Sequence, residues 1–475
     1  MKDYCPIKST QVLMLAEAAA LLVLWGVSDY LFGVTDALRI TAALTLAYIV
    51  PRVAYSRWHD NHPVGRWILF VAALWLAVIA VAFLWDCSVG SFCTLERPCL
   101  DGDMADYYQW ALHRFDPTVE EPKVTFWGYS WGIMMLWRLT GVNVVWPVAM
   151  NVMATLLTLV VTACMGVRVL HGRVAKSQAQ VGAWCMGLLA VQGFFMSQGA
   201  QMLKEPWIYL SITLMGYAMA GVVSVAPPSR RHRWMDVALY AIGCFVLAAV
   251  RAKYVNFMAI GVLLLAPVRW RRNWRFIATL FIITAMCWWL GMAMTTHYTV
   301  IQQVNNVTGS GGMETIFVGN DAFWEFSVAY YTMPLWQKVL SIPITCGVQW
   351  MIPFPWLPQG DAASILTCAP RLRWGWYAVS GLVAWFYLVE CWRKPARAFA
   401  LWALFPAVCF SGIAYMVVGT VSRYVLPFAP WVVVLAVWVL LRPASPARGR
   451  WLVRWLLAYW CLVAVVLAVC YGIMH

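Results

Sequence analysis

Charge is what this sequence has least of. Only 11% of its 475 residues are Asp, Glu, Lys or Arg, against 63% hydrophobic ones, and the mean hydropathy is +0.71. So few polar side chains cannot cover a water-exposed globule of this size, which excludes a soluble enzyme or binding module. Histidine is also rare, with 7 in all, and none stands beside the cysteines at zinc-ligand spacing, so a zinc-type cluster is excluded. No internal repeat of the kind built into inverted-repeat transporters is present, and no polar stretch is long enough to fold as a separate soluble domain. The first apolar run lacks a small-residue cleavage site and is long enough to span, so it reads as a membrane helix and not as a cleaved signal.

What the chain has in abundance is apolar runs. Lipid offers no partner to backbone N–H and C=O groups, so a crossing segment must be a helix of roughly 20 apolar residues. Such runs occupy 11–34, 36–50, 67–85, 142–164, 181–199, 206–225, 235–251, 254–268, 276–296, 374–392, 398–418, 424–441 and 451–472. The predicted fold is therefore all-α, a polytopic membrane protein with about 13 transmembrane helices. Two runs, 36–50 and 254–268, are short and need their flanks to cross. The run 341–357 is broken by Pro343, Pro353 and Pro355, with Pro358 directly after it, and is expected to be re-entrant or interfacial.

Arg and Lys positions set the orientation, because short loops rich in them stay cytoplasmic. Arg52, Arg57 and Arg66; Arg168, Arg173 and Lys176; Arg230, Arg231 and Arg233; Arg269, Arg271, Arg272 and Arg275; Arg393, Lys394 and Arg397; and Arg442, Arg448 and Arg450 all fall on one side when spans alternate. An amino terminus carrying Lys2 and Lys8 shares that side. These loops account for most of the formal charge of +14, which makes a nucleic-acid partner unnecessary and the lipid bilayer the expected one. The implied organisation is an amino-terminal hairpin and cytoplasmic loop (1–66), a core (67–296) with an outer loop at 86–127, a second outer loop (297–373) and a carboxy-terminal set of helices (374–475).

The first outer loop is acidic and holds Cys87, Cys93 and Cys99, where an oxidising compartment permits a disulfide. Three cysteines cannot all pair among themselves, so Cys346 and Cys368 in the second outer loop are further candidate partners. The same loop contains Asp101, Gly102, Asp103, Asp106 and Tyr107. If the stretch from Asp103 is helical, Asp103, Tyr107 and Ala111 share one face with Asp106 beside them. A solvated loop helix accounts for this spacing as well as a site does. Three more groups lie at outer span ends: Lys204-Glu205-Pro206, Arg251-Ala252-Lys253-Tyr254, and Arg423-Tyr424 with Pro427. Outer-side cations run against the orientation rule. Snorkelling to lipid headgroups explains each alone, but their shared side favours an anion site.

The order of these groups resembles the GT-C superfamily of membrane glycosyltransferases, particularly the branch of aminoarabinose transferases and protein O-mannosyltransferases. The resemblance rests on Gly102-Asp103 with Tyr107 and Ala111, then Gly128-Tyr129-Ser130, Gly141-Val142-Asn143, Asn151, Lys204-Glu205, the Arg251 region and the Arg423-Tyr424 run. It covers roughly residues 67–440. Ser130 stands where many relatives have Pro, an Asp-Gly-Asp replaces the usual acidic doublet, and the hairpin at 11–50 is an addition.

The resemblance implies a GT-C-like core and transfer of a sugar from a polyprenyl-phosphate carrier to a glycan, lipid or protein acceptor, with inversion at the anomeric carbon. It also implies a bacterial inner-membrane enzyme with its active site facing the periplasm. Such a reaction needs a base for the acceptor hydroxyl and cations for the departing phosphate. Asp103 is the expected base, supported by the carboxylates of Asp101, Asp106 and Glu205. Arg423, Arg251, Lys253 and Lys204 are the expected phosphate contacts, and Tyr107 and Tyr424 the sugar or acceptor contacts. No cofactor is required, while a divalent metal at Asp101 and Asp103 stays open. Two other classes remain: an oligosaccharide polymerase or ligase using a lipid-linked glycan, and a transporter or flippase of lipid-linked sugars. Glu17, well inside an apolar span, is the main feature pointing to transport.

Overall fold

A computed structural model describes residues 6–58, 61–89, 92–119, 127–174, 176–224, 230–267, 270–294, 374–391, 397–416, 426–442 and 445–474, with a few positions between 334 and 340. The described residues form helices and connecting turns. The first three helices are α1 (Pro6–Phe32), α2 (Val34–Arg57) and α3 (Pro63–Ser88), followed by two shorter ones, α4 (Gly102–Phe115) and α5 (Trp127–Thr140). The central group is α6 (Val145–Leu170), α7 (Gln178–Ala190), α8 (Gly193–Gly199), α9 (Glu205–Val223), α10 (Arg230–Arg251), α11 (Lys253–Leu265) and α12 (Trp270–Met294). The last four are α13 (Trp374–Trp385), α14 (Arg397–Met416), α15 (Ala429–Leu441) and α16 (Pro446–Met474).

Among the described residues, each predicted span is largely helical. Among the described residues, seven helices are long and apolar enough to cross a membrane: Thr10–Phe32, Val34–Arg57, Pro63–Ser88, Val145–Leu170, Glu205–Val223, His232–Arg251 and Asn273–Gly291. Shorter apolar helices run Tyr254–Leu265, Phe399–Cys409 and Leu426–Leu441. The protein is thus an integral membrane protein of the polytopic all-α class. The short run at 36–50 gains its length from both flanks, becoming α2 with Pro51 inside it. The run at 181–199 is not continuous but divides into α7 and α8. Gln192 turns its amide back to the Leu188 carbonyl at 2.8 Å, and Gly193 follows, so the ladder is interrupted where a side chain substitutes for a backbone partner. The span at 374–392 ends in a π-helical turn, Phe386–Glu390, and the one at 424–441 begins with a 3₁₀ turn, Leu426–Phe428. The segment 341–357 lies outside the described residues.

Helices α6, α9 and α15 form the centre and α1 the rim. Of the apolar window of α9, 83% is buried inside the protein, against 6% for α1. The rim helix exposes Leu15, Leu22 and Val23, side chains suited to lipid. Polar residues inside α6 are satisfied along the helix, with Thr155, Thr158 and Thr162 each donating to the carbonyl four residues earlier. Glu17 on α1 accepts from Tyr48 at 2.5 Å and Arg52 at 2.7 Å, which holds the α1–α2 hairpin together.

The two ends of the bundle differ in chemistry. At one end Arg168 of α6 pairs with Asp236 of α10, Arg173 donates to the Val223 carbonyl, and Arg442 and Arg448 pair with Glu390. At the other, Arg39 pairs with Glu96 at 3.1 Å, and the Val144 N–H donates to the Leu95 carbonyl at 2.9 Å. The paired cations Arg168, Arg173, Arg442 and Arg448 all belong to loops expected on the cytoplasmic side.

Candidate active site

The acidic loop is built before it is charged. Cys93 and Cys99 form a disulfide, which decides the pairing left open by the sequence. Cys87 stays a free, buried thiol at the end of α3, donating to the Phe83 carbonyl while its own carbonyl accepts from the Cys99 N–H at 2.9 Å. Cys346 and Cys368 lie outside the described residues. The closed loop buries Leu95 and presents the Glu96 carbonyl to the Tyr108 hydroxyl. That contact ties α4 to the bundle.

Helix α4 starts as its sequence predicts. Asp101 occupies the N-cap position in extended conformation and Gly102 takes φ +54°, a region that favours glycine. Tyr107 and Ala111 are fully buried, so the face shared by Asp103, Tyr107 and Ala111 turns inward. Asp103 sits one turn before Tyr107, about 5–6 Å between β-carbons by helical geometry. Asp101 is exposed and Asp103 and Asp106 are half-buried. Burial, and then the charge of Asp103, push the Asp106 carboxyl above the usual aspartate range.

Tyr107 is the meeting point. The Lys204 ammonium lies over its ring, 5.1 Å from the centroid, and Tyr129 meets it edge-on at 5.2 Å. The ring face expected to receive a sugar therefore carries a cation. Lys204 caps the start of α9, where Pro206 falls within the first turn, and is only 5% exposed. Next to it Glu205 is 1% exposed, and Arg251 approaches its carboxylate at 3.8 Å. Among the described residues, no donor makes a hydrogen bond to either Glu205 oxygen. The Arg251 guanidinium also lies 5.6 Å from the Tyr254 ring centre. Tyr254 in turn stacks on Phe428, at 6.3 Å and 30°.

Tyr129 reaches this cluster because Gly128 lets α5 lie against α10. A β-carbon at Gly128 would stand 1.9 Å from the Ala249 carbonyl oxygen. Burial pushes the Tyr129 phenol up, the Asn151 amide opposes this, and the Glu205 carboxylate adds to it. Asn151, buried on α6, donates to the Tyr129 hydroxyl at 3.0 Å and to the carbonyls of Gln201 and Leu203 at 2.6 and 2.7 Å. Its Oδ1 accepts from the Trp207 indole at 2.9 Å.

The structure therefore brings together Tyr107, Lys204, Glu205 and Arg251 from α4, the start of α9 and the end of α10, and Asp103 lies one turn ahead of Tyr107 on α4. Lys253 begins α11, and its side chain is outside the described set. Arg423 and Tyr424 lie outside the described residues, and the described chain resumes at Leu426. Tyr129 and Asn151 were quoted in the sequence only as parts of a motif. A buried amide in an apolar span was the signal for Asn151. Among the described residues no group of three or more His, Cys, Asp or Glu side chains converges as a metal site would.

No family model and no curated protein matches the chain. Among solved structures it is similar to the crystal structure of ArnT from Cupriavidus metallidurans bound to undecaprenyl phosphate, with 12% identity and a TM-score of 0.47 over 81% of this chain. The chain spans 62% of the length of that protein.

Proposed function

We propose that the protein is a membrane glycosyltransferase that moves a sugar from a polyprenyl-phosphate carrier to an acceptor on the non-cytoplasmic side. The observation that carries this reading is the cluster of Lys204 on Tyr107 and Arg251 beside Glu205, on the side expected opposite the basic loops. Two cations and one carboxylate, held at low dielectric, suit a phosphate group, and the inward face of α4 carries a carboxylate one turn from Tyr107.

In this reading Asp103 takes the proton of the acceptor hydroxyl, whose oxygen attacks the anomeric carbon. The bond from that carbon to the phosphate oxygen breaks with inversion, and the freed phosphate keeps the electron pair. Lys204 and Arg251 stabilise the charge on that oxygen, with Arg423 and Lys253 as further contacts. Tyr107 seats Lys204, and Tyr424 is left to contact sugar or acceptor. Orientation by the basic loops favours a periplasm-facing site in a bacterial inner membrane.

Incubating the purified protein with polyprenyl-phosphate sugars of several kinds tests the proposal. Transfer or hydrolysis of one of them is expected, with a higher donor KM in Lys204→Met. Consumption only of a preassembled glycan on a diphosphate carrier would instead make it a polymerase or ligase. Inertness toward all of these donors would refute the reading.

A further inference from the structure

Asn151 touches three parts of the candidate site at once. It is fully buried in the second turn of α6, a position where an amide is costly unless all its groups are paired. Its pairing is complete. Three acceptors surround Nδ2 and one donor faces Oδ1, a pattern that fits only one orientation of the amide.

The partners matter more than the number of bonds. Gln201 and Leu203 are the backbone immediately ahead of Lys204, and their carbonyls take the two shortest bonds. Trp207 lies in the first turn of α9, two residues beyond Glu205. Tyr129 packs on Tyr107, the ring beneath the Lys204 ammonium. An NH₂ group has two hydrogens for three acceptors, so the carbonyls take the stronger shares and the Tyr129 hydroxyl the longest bond.

We infer that Asn151 is a positioning residue that sets where the Lys204 ammonium sits, by fixing the backbone before it and the aromatic pair below it. It touches neither donor nor acceptor. The inference rests on the proposed role of Lys204 as a phosphate contact. It adds that the strength of that contact is controlled from α6, by a residue with no charge of its own.

The test is a double-mutant cycle on donor KM and kcat, using wild type, Asn151→Ala, Lys204→Met and the double variant, with polyprenyl-phosphate sugar as the varied substrate. Donor KM should rise about tenfold or more in each single variant, and the double should be no worse than the poorer single, because displaced and deleted ammonium are equivalent losses. A purely structural Asn151 would lower active protein and kcat while leaving KM unchanged, and would multiply with Lys204→Met. Multiplicative KM effects would overturn the inference. Should Asn151→Ala not fold, Trp207→Phe removes only the bond to Oδ1 and frees the amide to turn. Donor KM is then expected to rise, and an unchanged KM would overturn the inference equally. If Lys204→Met itself leaves KM at the wild-type value, the phosphate assignment fails instead, and the two failures are distinct.

Discussion

The Arg168–Asp236 pair is the firmest point for a quantitative test. Arg168 places Nη1 and Nη2 each 2.6 Å from one Asp236 oxygen, in a two-pronged geometry. The guanidinium also donates to the Tyr217 carbonyl at 3.3 Å and lies 4.7 Å over the Tyr217 ring. With side chains only 13% and 3% exposed, the pair joins α6, α9 and α10 away from water. Asp236→Asn keeps the shape but leaves a buried guanidinium uncompensated, a loss of about 3–5 kcal/mol. In a chain of this size that corresponds to roughly 5–10 °C in Tm. Replacing both members by apolar residues, Arg168→Met with Asp236→Leu, removes the stranded charge and should recover most of the loss. Arg168→Met alone should cost less than Asp236→Asn, because Arg233 also acts on Asp236 and remains to offset it. Thermal unfolding in one detergent at a fixed scan rate measures all four. If the double variant is as unstable as Asp236→Asn, or if Asp236→Asn shifts Tm by less than about 1 °C, the charges are solvated and the reasoning is wrong.

Asp103→Asn should fold and bind donor lipid normally yet lose about a hundredfold to ten-thousandfold in turnover, whereas near-normal turnover would remove it as the base. A carboxyl raised in the folded state binds protons that the unfolded chain has already released. The Asp106 contribution is therefore present below the ordinary aspartate value, about 3.9, and is lost as pH rises through the higher folded one. Asp106→Asn should accordingly raise Tm at neutral pH and flatten its decline above pH 4, and a lower Tm at pH 7 would contradict the assignment. Cys93→Ser with Cys99→Ser opens the loop that holds Tyr108 and should cost about 2–3 kcal/mol. Equal melting of the oxidised protein and the double variant would show that α4 is held by other contacts. Glu205→Gln should leave Tm within about 2 °C of wild type, since no hydrogen bond to the carboxylate is lost. Donor KM should fall as a negative charge near the phosphate is removed, and an increase would assign Glu205 to binding instead.

Helices were legible because lipid leaves the backbone no alternative, and their ends were legible wherever Arg or Pro follows an apolar run. The division of α7 from α8 was not, because Gln192 and Gly193 sit in a run whose mean hydropathy still suits a single span. The shared face of Asp103, Tyr107 and Ala111 followed from their spacing, which is local information, but its inward direction did not, because a solvated loop helix has the same spacing. The disulfide did not follow. Cys87, Cys93 and Cys99 are equally near in sequence, and what separates them is that Cys87 already closes α3 and donates to its carbonyl ladder. Lys204 over Tyr107, and Arg251 beside Glu205, are tertiary contacts between helices with no shared periodicity. The sequence offered only that these residues lie on one side.

The buried carboxylates of the bundle are paired differently from one another. Among buried acids at the basic end, Asp236 has two bonds of 2.6 Å from one arginine. Glu390 accepts from Trp385 and Arg448 at 2.8 Å and from Arg442 at 3.3 Å. These carboxylates are saturated, and their cations are committed to them. Glu205 is just as buried, but its arginine stands 3.8 Å away and no hydrogen bond joins them. Attraction at that separation is weaker than in a hydrogen-bonded pair, while the cost of removing both groups from water is similar. A fold selected for stability alone would close that gap, as this one does around Asp236 and Glu390. The loosely held group is therefore the Glu205 carboxylate, whose two oxygens accept no hydrogen bond among the described residues, and its burial without such bonds sets it apart from Asp236 and Glu390.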